Sequence, residues 1–326
     1  STSSSSSAVD ATEKSELFAS SSYGLFKQIG TYIGETSQST NEDNLSHIRN
    51  IRFNVDEISK STSTFTGILA GVIVDTALKD VEINTQNLTV LGKNITGGVA
   101  GAILGNSTLY NVSSNANVTS AYVSFENDEY QTKFAEVKHF KNTLLDTEKT
   151  GLDKANSATS YAGGIAGVIN IKSPIAENEL YTNISHRNSN ADMMTVKGDI
   201  TITAEIVGGI CGYLGADAYI SNSQFEISTN DSQRLKGYYV AGGLIGENYG
   251  VVNLCKVEVN YTNVNAFDNA TNNNTGNNLF ENADTNPVYI GGLVGVNYGG
   301  YITTSYSKTN VYHHNASYAG GLIGLA

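Results

Sequence analysis

Apolar residues recur along most of this chain in short alternating runs rather than at helical spacing. Val251-Val-Asn-Leu-Cys-Lys-Val-Glu-Val259 and Tyr301-Ile-Thr-Thr-Ser-Tyr-Ser-Lys-Thr-Asn-Val311 show the pattern, in which apolar and polar positions alternate and Asn, Gly or Ser interrupts every few residues. A period of two places successive side chains on opposite faces of a strand. The runs therefore predict short strands separated by turns, two or three to a unit.

A single motif sets the length of that unit. Gly-Gly-(Leu/Ile/Val)-x-Gly begins at Gly97, Gly163, Gly208, Gly242, Gly291 and Gly320, with weaker copies at Gly67 and Gly30. The eight copies hold 22 of the 33 glycines, so glycine here marks a repeat rather than a flexible linker. Two residues before the motif lies Phe65, Ile95, Tyr161, Ile206, Val240, Tyr289 or Tyr318, and two after its first Gly lies Leu69, Val99, Ile165, Ile210, Leu244, Leu293 or Leu322. These positions are expected to face a core, and the glycines to form corners where backbones approach closely. Successive motifs lie as few as 29 or 30 residues apart, the length of one coil of a β-solenoid. The fold class predicted is all-β: a parallel β-helix of about seven to eight coils.

The longer intervals imply lateral insertions. Residues 120–157 carry 12 charged side chains in 38 and partial helical spacing from Tyr130 to Leu145. They read as an excursion with a helix, or as a degenerate coil, because the 66-residue interval is about twice the unit. Residues 263–286 hold 10 Asn in 24 and read as an exposed loop. At the start, residues 1–29 read as a Ser-rich arm and cap, since Asp10 and Glu13 before Leu17, Phe18, Leu25 and Phe26 form a capping-box pattern for a short helix. The solenoid is assigned to 30–326. Its last motif leaves a coil edge that another copy could extend by head-to-tail stacking, or that a continuing chain would cover.

Composition narrows the function. Lys and Arg number 19 against 31 Asp and Glu, a net charge of −12, and there are four Arg, so binding to a nucleic acid backbone is disfavoured. The longest apolar run, Phe65 to Val74, is far short of a helical membrane span. The start at Ser1 fits a secreted chain from which a leader has been removed, and equally a cut fragment.

Gly291-Gly-Leu-Val-Gly-Val-Asn-Tyr-Gly-Gly300 and Gly242-Gly-Leu-Ile-Gly-Glu-Asn-Tyr-Gly250 resemble the GLUG-type repeat of large secreted surface proteins. The copies at Gly163 and Gly208 keep the glycines but lose the following Asn-x-Gly. The resemblance implies an extracellular, adhesive or matrix-forming β-solenoid without catalytic activity. In composition and architecture the chain is also similar to β-helical glycoproteins of extracellular fibrils.

Twelve Asn-x-Ser/Thr sequons occur, at Asn44, Asn87, Asn94, Asn106, Asn111, Asn117, Asn183, Asn230, Asn260, Asn269, Asn273 and Asn315. Composition alone would give about 7, so either the repeat generates them incidentally or they mark N-glycosylation of a secreted protein. Cys211 and Cys255 read as buried thiols or, in an oxidising compartment, as a disulfide between adjacent coils. The five histidines are scattered without ligand spacing, and neither a metal nor another cofactor is expected. Counted from the motif, Asp80, Glu177, Glu226 and Glu258 fall at different offsets and are not expected to stack as a catalytic cluster. The leading expectation is a non-catalytic subunit of a secreted, N-glycosylated fibre or surface coat, whose partners are copies of itself and covalent glycans. A carbohydrate-binding adhesin is the alternative, and a polysaccharide lyase or hydrolase the third class.

Overall fold

The computed structural model describes residues 22–30, 45–56, 63–85, 88–120, 160–171, 190–227, 235–266, 289–311 and 318–326. All regular secondary structure among them is strand. Eight back strands, Phe26–Ile29, Ala70–Val74, Ala100–Gly105, Ala166–Ile171, Cys211–Leu214, Ile245–Asn248, Val294–Asn297 and Ile323–Leu325, stack in chain order as one parallel sheet, one per coil. The other 21 strands form a curled sheet that carries the rest of each coil. The chain is a parallel β-helix of eight rungs, about 34 Å along its axis at ~4.8 Å per strand layer.

From each back strand but the last, Ile323–Leu325, the chain passes to a front strand, as in Thr76–Thr85 and Thr108–Ser114. Every front strand or strand pair bends at one residue with φ of 44–56°: Asn50, Asp80, Asn111, Met193, Asn222, Leu254 or Thr304. These seven occupy one register position. Asn and Asp adopt this left-handed conformation readily; Met193 and Leu254 are held in it by the rungs on either side, and Thr304 by the rung before it.

The coil closes through a short arch strand, such as Phe65–Gly67 or Ile95–Gly97, whose glycines turn the chain into the next back strand. The first motif glycines pair in one column, Gly67 to Gly97, Gly163, Gly208, Gly242, Gly291 and Gly320. The third glycine of each motif is skipped in the ladder, for example between Ala100 and Ala102, where the back strand passes against the arch strand. A Cβ on Gly101 would lie 2.6 Å from Thr66 N, 2.7 Å from Gly71 O and 2.8 Å from Ile95 O, all of them backbone atoms.

This geometry divides the apolar residues into two cores. Leu69, Val99, Ile165, Ile210, Leu244 and Leu293 fill the main interior with Ile73, Ile103 and Ile169. Phe65, Ile95, Tyr161, Ile206, Val240 and Tyr289 line a second, narrow core together with Val72, Val74, Ala102, Leu104, Val168, Tyr213 and Val296 of the back sheet. The back sheet is thus buried on both faces, which explains why Ala70-Gly-Val-Ile-Val74 is a continuous apolar run rather than an alternating one. Tyrosines extend the narrow core along the axis, with ring centroids 5.1 Å apart for Tyr213 and Tyr249 and 4.8 Å for Tyr249 and Tyr298. Such pairs contribute about 0.5–1.5 kcal/mol each beyond area burial.

Several expectations are corrected. The first motif copy is not at Gly30 but at Gly24, because Ser22 pairs with Phe65 and Tyr23 with Thr66. The solenoid therefore begins by Ser22 rather than at residue 30, and Phe26 lies in a back strand rather than in a capping helix. The rest of the expected helix falls on residues 1–21, outside the described residues. Tyr161–Gly163 pairs directly with Ile95–Gly97, so residues 121–159 do not supply an extra coil between them. The helix expected within that stretch also lies outside the described residues. Where the chain returns, Ser160 N–H donates to Glu205 Oε2 at 2.7 Å and Glu205 N–H to Ser160 Oγ at 3.0 Å. The first bond gives the buried Glu205 carboxylate a backbone donor, and the second pairs the Glu205 backbone N–H, at the bulge between Ala204 and Ile206. The loop expected from residue 263 does not begin there, because the strand Lys256–Ala266 runs on to Ala266 and pairs Val264 with Leu235.

The backbone contacts around Gly101 predict that Gly101→Ala lowers the unfolding free energy by about 1–3 kcal/mol through overpacking. The exposed substitution Thr89→Ala should change it by less than about 0.5 kcal/mol. Denaturant unfolding monitored by circular dichroism checks both; equal stability of Gly101→Ala and the parent chain would contradict the close approach.

Candidate ligand-binding face

Outward positions of the front strands after the bend form two rows along the rod. Register places Arg52, Glu82, Ser113, Thr195, Gln224, Lys256 and Tyr306 in one row. The same ladders place Asn54 beside Asn84, and Lys197, Glu226, Glu258 and Lys308 in sequence, as the second row. The expectation that Glu226 and Glu258 do not stack is therefore wrong. Offset from the motif is not register, since segments of different length separate the motif from the front strand in each coil.

The rows are tied from rung to rung. Asn84 Nδ2 donates to Asn54 Oδ1 and Asn115 Nδ2 to Asn84 Oδ1, each at 3.0 Å, and Thr85 N–H donates to Asn115 Oδ1 at 2.7 Å. Arg52 pairs with Glu82 at 2.7 Å on the exposed surface. Four rungs beyond Glu82, Tyr306 Oη donates to Glu258 Oε1 at 2.8 Å and Lys256 Nζ to Glu258 Oε2 at 3.1 Å. The Tyr306 hydroxyl first, and Lys256 second, hold the Glu258 carboxyl below the usual carboxylate range, while the same bond raises the Tyr306 phenol.

Between these two clusters lies a groove of about 350 Å³, lined by Glu82, Ile83, Ser113, Ser114, Asn115, Lys197, Gly198 and Glu226. Ile83 and Ser114 are buried, so the outward-facing members Glu82, Ser113, Asn115, Lys197 and Glu226 supply its chemistry. The sequence reading missed this site because its residues come from four coils with unlike motifs.

Four sequons have described side chains. Asn94 is buried, and a glycan there is incompatible with the folded coil. Asn106 donates its backbone N–H and its Nδ2 to Asp75 Oδ1 at 2.7 and 3.0 Å, and Asn117 Oδ1 accepts Thr201 N–H at 2.7 Å. Asn111 is exposed at the bend and donates Nδ2 to Asp80 Oδ1 at 2.7 Å. Asn260 lies in the strand Lys256–Ala266. Asn44, Asn87, Asn183, Asn230, Asn269, Asn273 and Asn315 lie outside the described residues.

Both cysteines are free and buried, which corrects the disulfide alternative. The register neighbours of Cys211 are Ala166 and Ile245. Cys255 instead replaces a serine: its Sγ donates to Asn253 O at 3.2 Å, as Ser223 Oγ donates to Ser221 O and Ser305 Oγ to Thr303 O on the adjacent rungs. Burial pushes the Cys255 thiol up to about 12 and raises that of Cys211 well above the usual range. Among the described residues, no three His, Cys, Asp or Glu side chains gather as a metal site.

No family model, curated protein or solved structure matches the chain. The likeness to GLUG-type repeats accordingly rests on the quoted motifs alone.

Two outcomes follow from these sites. A thiol reagent should label neither cysteine in the native protein at mildly alkaline pH and both after unfolding without reductant, because only the thiolate reacts; failure to label the unfolded chain would indicate a disulfide. Tyr306→Phe should raise the Glu258 titration midpoint toward the ordinary carboxylate value in a carbon-detected NMR titration. Because the folded value is lowered, the stabilisation is present above the ordinary carboxylate range and fades as pH falls through the folded value. An unmoved midpoint would contradict the assigned hydrogen bond.

Proposed function

We propose that the rod is a non-catalytic structural subunit of a secreted, N-glycosylated fibre or surface coat, assembled by end-to-end stacking of copies. The observation that carries this reading is the repetition of one rung in register: the glycine column from Gly67 to Gly320 and the parallel back sheet recur unchanged, so a rung of the same kind from another copy can extend the stack. Tyr318 and Leu322 are 50% and 40% exposed, whereas their register counterparts one rung earlier, Tyr289 and Leu293, are 6% and 0% exposed. The Tyr318 ring already stacks on Tyr289 at 5.2 Å with a 10° interplanar angle. An added rung of the same geometry would continue the sheets, the glycine column and the narrow core. Exposed Asn111 supports placing sugar on the lateral surface, where it would not obstruct stacking.

Gly321 provides the test. On internal rungs a Cβ at this motif position would strike a glycine carbonyl of the next rung, as Gly243 does with Gly292 and Gly292 with Gly321. At Gly321 nothing lies within 4 Å. Gly321→Val should therefore leave the fold and melting curve of the single chain unchanged while abolishing filaments seen by negative-stain microscopy. Parent protein that stays monomeric at high concentration, or Gly321→Val that still assembles, would refute end-to-end stacking.

A further inference from the structure

We infer that the front groove is a binding site for a neutral oligosaccharide lying along the rod axis. Glu82, Asn115, Lys197 and Glu226 belong to four successive rungs, so the groove crosses the strands and spans about 14 Å at the rung spacing. A β-linked sugar unit advances by nearly the same distance as a rung, so each unit would meet the polar side chain of one coil. The outward lining consists of carboxylates, a carboxamide, a hydroxyl and an ammonium. The planar carboxylate groups suit paired contacts with vicinal hydroxyls, and Asn115 keeps one amide N–H to donate. The amide of Asn115 is held by the ladder to Asn84 and Thr85, so it presents a fixed edge.

Charge selects the class of sugar. Glu82 is matched by Arg52 at 2.7 Å, and Glu226 has Lys197 as its register neighbour. The balanced groove offers no cationic excess to a polyuronate, which separates it from sites built for anionic polysaccharides. Its room depends on Gly198, whose φ of 121° suits glycine and whose missing side chain would stand 3.7 Å from Asn115 Cβ. The inference does not rest on end-to-end assembly, since a single rod carries the whole groove.

Isothermal titration of the full chain with cellohexaose and with chitohexaose tests the site, with oligogalacturonate as the anionic comparison. At least one neutral hexamer should bind saturably and more tightly than oligogalacturonate. Ser113→Tyr, which fills the groove from an outward strand position, should abolish that binding. Lys197→Ala and Glu226→Gln should each weaken it by roughly fivefold, the loss of one hydrogen bond. All variants are compared at melting temperatures matched to the parent, and if Ser113→Tyr fails to fold, the other two carry the test. Repeating the titration on Gly321→Val separates binding from assembly. No saturable binding of either neutral hexamer, tighter binding of oligogalacturonate, or unchanged affinity in the folded variants would overturn the proposal.

Discussion

Backbone meets backbone at the arch without an intervening Cβ, and the rest of the rod depends on that contact. At Gly101 any side chain would meet three backbone atoms within 2.8 Å. Equivalent glycines, Gly71, Gly167, Gly212, Gly246, Gly295 and Gly324, recur on every rung after the first, where Lys27 stands instead, so the back sheet and the arch strands can lie against each other along those rungs. Close approach buries both faces of the back sheet, and two cores result where a simple coil would have one. Each rung adds only a few apolar residues, but all of them are shared with a neighbour. Stability is therefore a property of stacking rather than of any single coil.

The same contact locks register, and register determines which side chains become neighbours. Because the glycine column pairs Gly97 with Gly163 across a 66-residue interval, chain of any length between them leaves the rung spacing unchanged. The front face is organised indirectly by this rule. Lys197, Glu226, Glu258 and Lys308 align because their coils are aligned at the arch, not because the sequence spaces them evenly. The left-handed bend follows the same logic, since Leu254 and Thr304 adopt a conformation that their side chains disfavour at a position where Asn and Asp sit on other rungs.

Much of the architecture was legible in the sequence because glycine placement records backbone contacts directly. The alternating runs gave strands, and the motif gave a coil length that the eight-rung sheet matches. The separation into two cores was not legible, since Phe65 and Leu69 look alike as apolar positions and differ only in the side of the arch they face. Gly24 escaped notice because its copy, Gly24-Leu-Phe-Lys-Gln28, lacks both the second and the third glycine. The groove was invisible for a different reason: Glu82, Asn115, Lys197 and Glu226 share no local pattern, and only three-dimensional stacking brings them together. Cys255 was ambiguous until the adjacent rungs showed serines in its place.

The central claim is that every rung is locked to the next through the glycine column, including across residues 121–159. Cross-strand proton–proton Overhauser contacts among the first motif glycines test it most directly. The account predicts one unbroken series, Gly67 to Gly97 to Gly163 to Gly208 and onward to Gly320, with Gly97 and Gly163 in direct contact. A strand from residues 121–159 found between Gly97 and Gly163 would contradict it.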